Sequence, residues 1–163
     1  MKRFLLLALL CCCAWLLSAG EWVSSYSAAK KQALRENKKI LIFFSGSDWC
    51  EAGRNLNRDL FRTRAFQLLA DEKYVLYNAD FPRYSRLGQE AEDRNRHLAR
   101  RYGISRFPAV VVIDPKFGSL LVKQVGMTGM TPKKLLEKLS RIEKNVPRSK
   151  WEQPAASGEK TDK

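Results

Sequence analysis

The chain has 163 residues, 45% of them hydrophobic, and a formal net charge of +13 at pH 7. That length holds one ordinary domain and excludes two. The charge favours contact with anionic surfaces such as lipid headgroups or acidic proteins, with a merely solvated basic face as the plainer alternative. No nucleic-acid-binding motif accompanies it, so no nucleic acid is expected as a partner.

Residues 1–20 read as a secretory signal peptide, separate from the domain. Lys2 and Arg3 make a basic start, Phe4 to Leu17 is an apolar run, and Ser18-Ala19-Gly20 offers small residues before a cut. The run is short for a membrane span, which takes roughly 20 residues; an uncleaved anchor is the alternative. Leu9-Leu10 ahead of Cys11 is not the small-residue context of a lipid-anchor site. Export is expected, most simply to a periplasm. Loss of Lys2 and Arg3 lowers the formal charge from +13 to about +11.

Cleavage also removes Cys11, Cys12 and Cys13 and leaves Cys50 as the single thiol. One cysteine cannot close an internal disulfide. It is either reactive or an inert buried side chain.

The domain spans residues 21–146. Ser24 to Asn37 reads as a helix capped by Ser24 or Ser25 and favoured by Ala28, Ala29, Ala33 and Leu34. Lys39 to Phe44 is an apolar run suited to a strand buried on both faces. A loop over 45–49 leads into a helix from about Cys50 to Phe61. Thr63 caps a further helix over Arg64 to Glu72, with Phe66, Leu69 and Ala70 inward. Tyr74 to Ala79 is a second strand. Asp80 to Leu87, with Pro82, Arg83 and Arg86, is a loop.

Gln89 to Tyr102 is an amphipathic helix that stops at Gly103. Ala109 to Asp114 is the clearest strand, and Pro115-Lys116-Phe117-Gly118 turns it towards an antiparallel partner over Ser119 to Val125. Thr131 and Pro132 open the last helix as N-cap and first residue, with Leu135, Leu136, Leu139 and Ile142 on its inner stripe. Residues 147–163 are polar and read as a disordered tail. Strands separated by helices imply a parallel pair in the centre of an α/β sheet, with the final hairpin adding antiparallel strands.

This order, with Gly46-Ser47-Asp48-Trp49-Cys50 after the first strand and Tyr102-Gly103-Ile104-Ser105-Arg106-Phe107-Pro108 before the third, resembles the thioredoxin superfamily. Within it the chain is most similar to exported bacterial proteins of the disulfide-interchange type. The resemblance covers about residues 24–145. It implies a three-layer fold, a nucleophile at Cys50, and a cis bond at Phe107-Pro108 with a groove where substrate backbone pairs with the strand edge. The chain departs from the pattern twice. Gly53 stands where the second active-site cysteine belongs, and Phe44 stands where many relatives bury a carboxylate six residues before the nucleophile.

A Cys50 at the start of a helix meets unsatisfied amides and the helix dipole, which stabilise a thiolate. Arg54, one turn later, adds positive potential, whereas Asp48 and Glu51 oppose it. Cys50 is thus expected to be a partly exposed, activated thiol, with Trp49 shaping the docking surface beside it and Phe107 and Pro108 facing it. His97, set among arginines, reads as a surface residue. No metal-ligand spacing, phosphate-binding glycine pattern or hydrolase elbow occurs, and no cofactor is expected.

A lone thiol can form a mixed disulfide but needs another thiol to release it. The leading expectation is monothiol exchange or isomerisation on exported proteins that carry disulfides or cysteines, with an external thiol or redox partner completing the cycle. The rival is a non-catalytic module that uses the same fold to hold extended peptides. A third reading is a membrane-tethered structural protein.

Overall fold

The computed structural model describes residues 21–143, so the expected leader over 1–20 and the expected tail over 147–163 lie outside the described residues. The elements in chain order are β1 (Trp22–Val23), α1 (Tyr26–Glu36), β2 (Lys39–Ser45), α2 (Glu51–Leu56), a π-helical turn (Asn57–Phe61), α3 (Arg64–Lys73), β3 (Tyr74–Asp80), α4 (Gln89–Arg101), β4 (Ala109–Ile113), β5 (Leu120–Val125) and α5 (Pro132–Ser140). The sheet order is β1-β3-β2-β4-β5. β3 runs parallel to both β1 and β2, whereas β4 is antiparallel to β2 and to β5. The expected α/β layering, parallel centre and antiparallel hairpin are all present.

Alternation along β2 decides which layer each residue supports. Ile40, Ile42 and Phe44 pack with Ala29 and Ala33 of α1 and with Leu98 and Ala99 of α4. Leu41 and Phe43 point to the opposite face, where Leu56, Leu60, Phe61, Phe66, Leu135 and Leu139 cover them. Both sides of β2 are therefore sealed, as its unbroken apolar run requires.

The caps follow the side-chain chemistry. Ser25, Thr63 and Thr131 each accept a hydrogen bond from the amide three residues on, which satisfies one of the free donors at a helix start. Asn37 closes α1 in the left-handed conformation, at φ 53°. Gly103, at φ +59°, ends α4, and the Ile104 amide donates back to the Ala99 carbonyl at 2.8 Å.

Two features differ from the sequence expectation. β1 is only two residues long, too short to show a period, and is held by pairing with β3. The helix expected over 50–61 changes to a π turn at Asn57, where the Arg62 amide donates to the Asn57 carbonyl at 3.0 Å. That wider turn accompanies burial of the adjacent Leu60 and Phe61. Leu69, expected inward, packs half-buried against the core that Phe66 and Ala70 fill.

Candidate functional site

The C-terminal end of β2 delivers the site. After Ser45 the chain turns tightly, and the amides of Trp49 and Cys50 both donate to the Gly46 carbonyl, at 3.2 and 2.7 Å. Cys50 becomes the N-cap of α2, and its own carbonyl accepts from the amides of Gly53 and Arg54, each at 3.1 Å. The thiol makes no capping hydrogen bond. Cys50 is a free cysteine and is 7% exposed. The expected position at a helix start is present; the expected partial exposure is not, since Cys50 is buried.

Gly53, Cys50 and Pro108 meet at one point. A Cβ placed on Gly53 would lie 3.5 Å from Cys50 Sγ and 3.7 Å from Pro108 Cβ. The Phe107-Pro108 bond is cis, as the resemblance implied. Pro108 is buried and Phe107 half-buried. The Pro108 carbonyl accepts from the Gly126 amide at 2.8 Å, which ties this corner to the end of β5.

Trp49 is held from three sides. Its indole N–H donates to the Phe81 carbonyl at 2.7 Å. Its ring meets Phe107 edge-on, with centroids 5.6 Å apart, and the Arg83 guanidinium sits 4.0 Å above the ring centroid. Phe81 also contacts Phe107 at 5.1 Å. Trp49, Phe81 and Phe107 thus form an aromatic platform beside the thiol, an arrangement whose edge and offset contacts are favourable.

Asp48 is engaged by the segment after β3. Its carboxylate accepts from the amides of Arg83, Tyr84 and Ser85 at 2.8–3.1 Å. Burial alone would raise the pKa of this carboxyl, but the three amides and the Ser85 hydroxyl outweigh it and hold it at about 2. Asp48 was expected to oppose a thiolate; what the geometry gives it is a clamp on the segment after β3. Asp80 does related work, accepting from the Ser45 hydroxyl at 2.9 Å and from the Ser47 amide at 2.9 Å.

The sequence reading missed Phe81, Arg83 and Asp80. It placed them in a loop, and only their nearness to β2 in space reveals their role. Arg54 lines a cavity together with Gly53. His97 is exposed on α4, as expected. Among the described residues no three His, Cys, Asp or Glu side chains converge on a metal-binding point.

A family model described as thioredoxin-like matches residues 21–115. The chain belongs to the thioredoxin-like family. It is 28% identical over 142 residues to the disulfide bond reductase DsbH of Chlamydia pneumoniae, a match that covers 78% of this chain and 82% of that protein. A solved structure of a DsbH oxidoreductase aligns with a TM-score of 0.61 at 27% identity, covering 73% of this chain and 85% of that one. The crystal structure of a disulphide isomerase from Xylella fastidiosa Temecula1 aligns at 0.54 with 21% identity, covering 76% and 96%, a likeness of fold.

Proposed function

We propose that this thioredoxin-like protein performs thiol–disulfide exchange through Cys50, by monothiol reductase or isomerase chemistry on exported proteins. Cys50 at the N-cap of α2, against cis Pro108, is the observation that carries the reading. The Cys50 thiolate attacks one sulfur of a substrate disulfide. A mixed disulfide forms, the old S–S bond breaks, and the departing thiolate takes a proton from water. Gly53 offers no sulfur to break the mixed disulfide from within. Release therefore falls to a second thiol of the substrate, which isomerises it, or to an external thiol, which reduces it. Similarity to the Chlamydia pneumoniae reductase supports this class of chemistry. The leader-like residues 1–20 support export, and no helix among the described residues is long and apolar enough to cross a membrane.

The 7% exposure of Cys50 favours a second reading, a binding module that keeps the groove without the reaction. The deciding experiment pairs the mature protein with a peptide disulfide and looks by mass spectrometry for a mixed disulfide on Cys50. The exchange reading expects the adduct in the wild type, none in Cys50→Ser, and thiol-dependent turnover lost with it. Peptide binding that survives Cys50→Ser, with no adduct in the wild type, would leave the binding module standing alone.

A further inference from the structure

A cavity of about 390 Å³ lies between the N-terminal half of α2 and the ends of β2 and β3; Cys50 is not in its lining, but the lining residue Gly53 neighbours Cys50. Arg54, Arg58 and Arg62 line it, with Ser47, Asn57 and Gly53. The arginines recur every four residues, so α2 and its π turn present them along one side. No carboxylate lines the cavity; Arg58 is also held by Asp59 at 2.7 Å, outside the lining, and the nearby Asp80 is taken up by Ser45 and Ser47. Asn57 adds an amide to the charged wall, while the Ser47 hydroxyl is engaged by Asp80. The volume lies in the range of small-molecule sites, and guanidinium groups pair with carboxylates by charge and by paired N–H donors.

Gly53 joins this cavity to the chemistry. It is a lining residue, and any Cβ there would stand 3.5 Å from Cys50 Sγ. The missing side chain thus removes the internal resolving sulfur, and Gly53 is the residue that both neighbours the thiol and lines the cavity.

We propose that this cavity receives the carboxylates of a low-molecular-weight thiol, or of its disulfide, whose sulfur exchanges with Cys50. The proposal rests on the exchange reading above and names the co-substrate class that reading needs. In the reducing direction Cys50 and a protein disulfide first form the mixed disulfide. The thiolate of one small thiol attacks Cys50 Sγ, forms a new S–S bond with it and frees the second protein thiolate. A second small thiolate then attacks the outer sulfur of that bond, leaves as the small disulfide and restores the Cys50 thiolate. Two small thiols are oxidised to one disulfide, and one protein disulfide is reduced to two thiols. The protons come off the small thiols and go to the protein thiolates through water.

Three probes of different charge test this: glutathione disulfide (anionic), hydroxyethyl disulfide (neutral) and cystamine (cationic). For each, the rate of adduct formation on Cys50 is compared between wild type and an Arg54→Gln/Arg62→Gln variant, both positions being exposed. The expected result is a loss of about tenfold for glutathione disulfide, no change for hydroxyethyl disulfide and a gain for cystamine. A Lys30→Gln/Lys31→Gln variant, equal in charge but remote on α1, keeps the wild-type rates. The same loss with all three probes, or with the remote variant, overturns the proposal. A second measurement uses Cys50→Ser and S-methylglutathione, which cannot exchange. Amide shifts at Ser47, Gly53 and Arg58 that vanish in the Arg54/Arg62 background are expected. Their absence overturns the cavity assignment while leaving exchange at Cys50 intact. Shifts at the cavity with no adduct from any of the three disulfides overturn the exchange reading instead.

Discussion

Asp48 holds Ser85 twice, accepting from its amide at 3.0 Å and from its hydroxyl at 3.3 Å. With the amides of Arg83 and Tyr84 on the same carboxylate, one side chain of the turn before α2 orders the segment that follows β3. Asp48→Ala removes the acceptor of three neighbouring amides. Hydrogen exchange at Arg83, Tyr84 and Ser85 is expected to rise by about tenfold or more, with β2 and β4 unaffected. Unchanged exchange at these three amides would remove the clamp from the account.

The same contact sets an acid limit. The folded pKa of Asp48, about 2, lies below the ordinary carboxylate value of 3.8. A depressed carboxyl stabilises the fold fully above the unfolded value and loses that contribution as pH falls through the folded one. The 83–85 amides are therefore expected to stay protected at pH 5 and to open between about pH 4 and 2. Asp48→Asn, which cannot ionise, is expected to lack that transition when exchange is followed across the range.

Gly53 keeps the geometry of a second cysteine without the sulfur. Its built Cβ lies 3.7 Å from Cys50 Cβ, inside the roughly 3.5–4.5 Å range that disulfides use. Gly53 is helical within α2, so a side chain there meets no backbone penalty. Gly53→Cys is expected to close an intramolecular disulfide under mild oxidation, read as the loss of two free thiols and two hydrogens in mass. If only intermolecular dimers form, the two positions do not face each other as described.

Much of this arrangement is legible in the chain. Buried strands announce themselves as apolar runs, and Ser25, Thr63, Gly103 and Thr131-Pro132 mark helix ends by local chemistry, so the layers follow from neighbouring residues alone. The site is legible only where it is local. Gly46 to Gly53 is a continuous turn, and Phe107-Pro108 stands out once the resemblance is made. Phe81, Arg83 and Asp80 reach the site through a strand pairing more than thirty residues away in sequence, and nothing in Asp80 to Leu87 marks them. The burial of the thiol is hidden for the same reason. β1 is invisible because two residues carry no period.

Lys39 and Asp114 form a second long-range contact that the sequence does not show. Lys39 Nζ lies 2.6 Å from Asp114 Oδ2, and the side chains are 6% and 12% exposed. Burial would raise the Asp114 pKa, but Lys39 and the Lys116 amide outweigh it and lower it. Lys39→Met leaves the carboxylate enclosed without its cation, and a loss of about 3 kcal/mol is expected in urea unfolding. Removing both charges with Lys39→Met/Asp114→Leu is expected to cost less than the single change. A single change that costs nothing would mean that the pair behaves as an exposed one.

Gly46 is fixed by its contact with Trp49. A Cβ on Gly46 would overlap the indole ring, which lies directly against the backbone there. Gly46→Ala must therefore push the ring from its seat, breaking the indole hydrogen bond to the Phe81 carbonyl and the stack under Arg83. Overpacking of this kind costs about 1–3 kcal/mol. Trp49→Phe removes the overlapping part of the ring system together with the N–H donor, and costs stability by a different route. If the conflict is local, the two changes are not additive: Gly46→Ala in the Trp49→Phe background is expected to cost at least about 1 kcal/mol less than in the wild type. Urea denaturation of the four proteins gives this coupling directly. Strict additivity would show that Gly46 is held by something other than the indole, and that the platform beside Cys50 does not depend on this glycine.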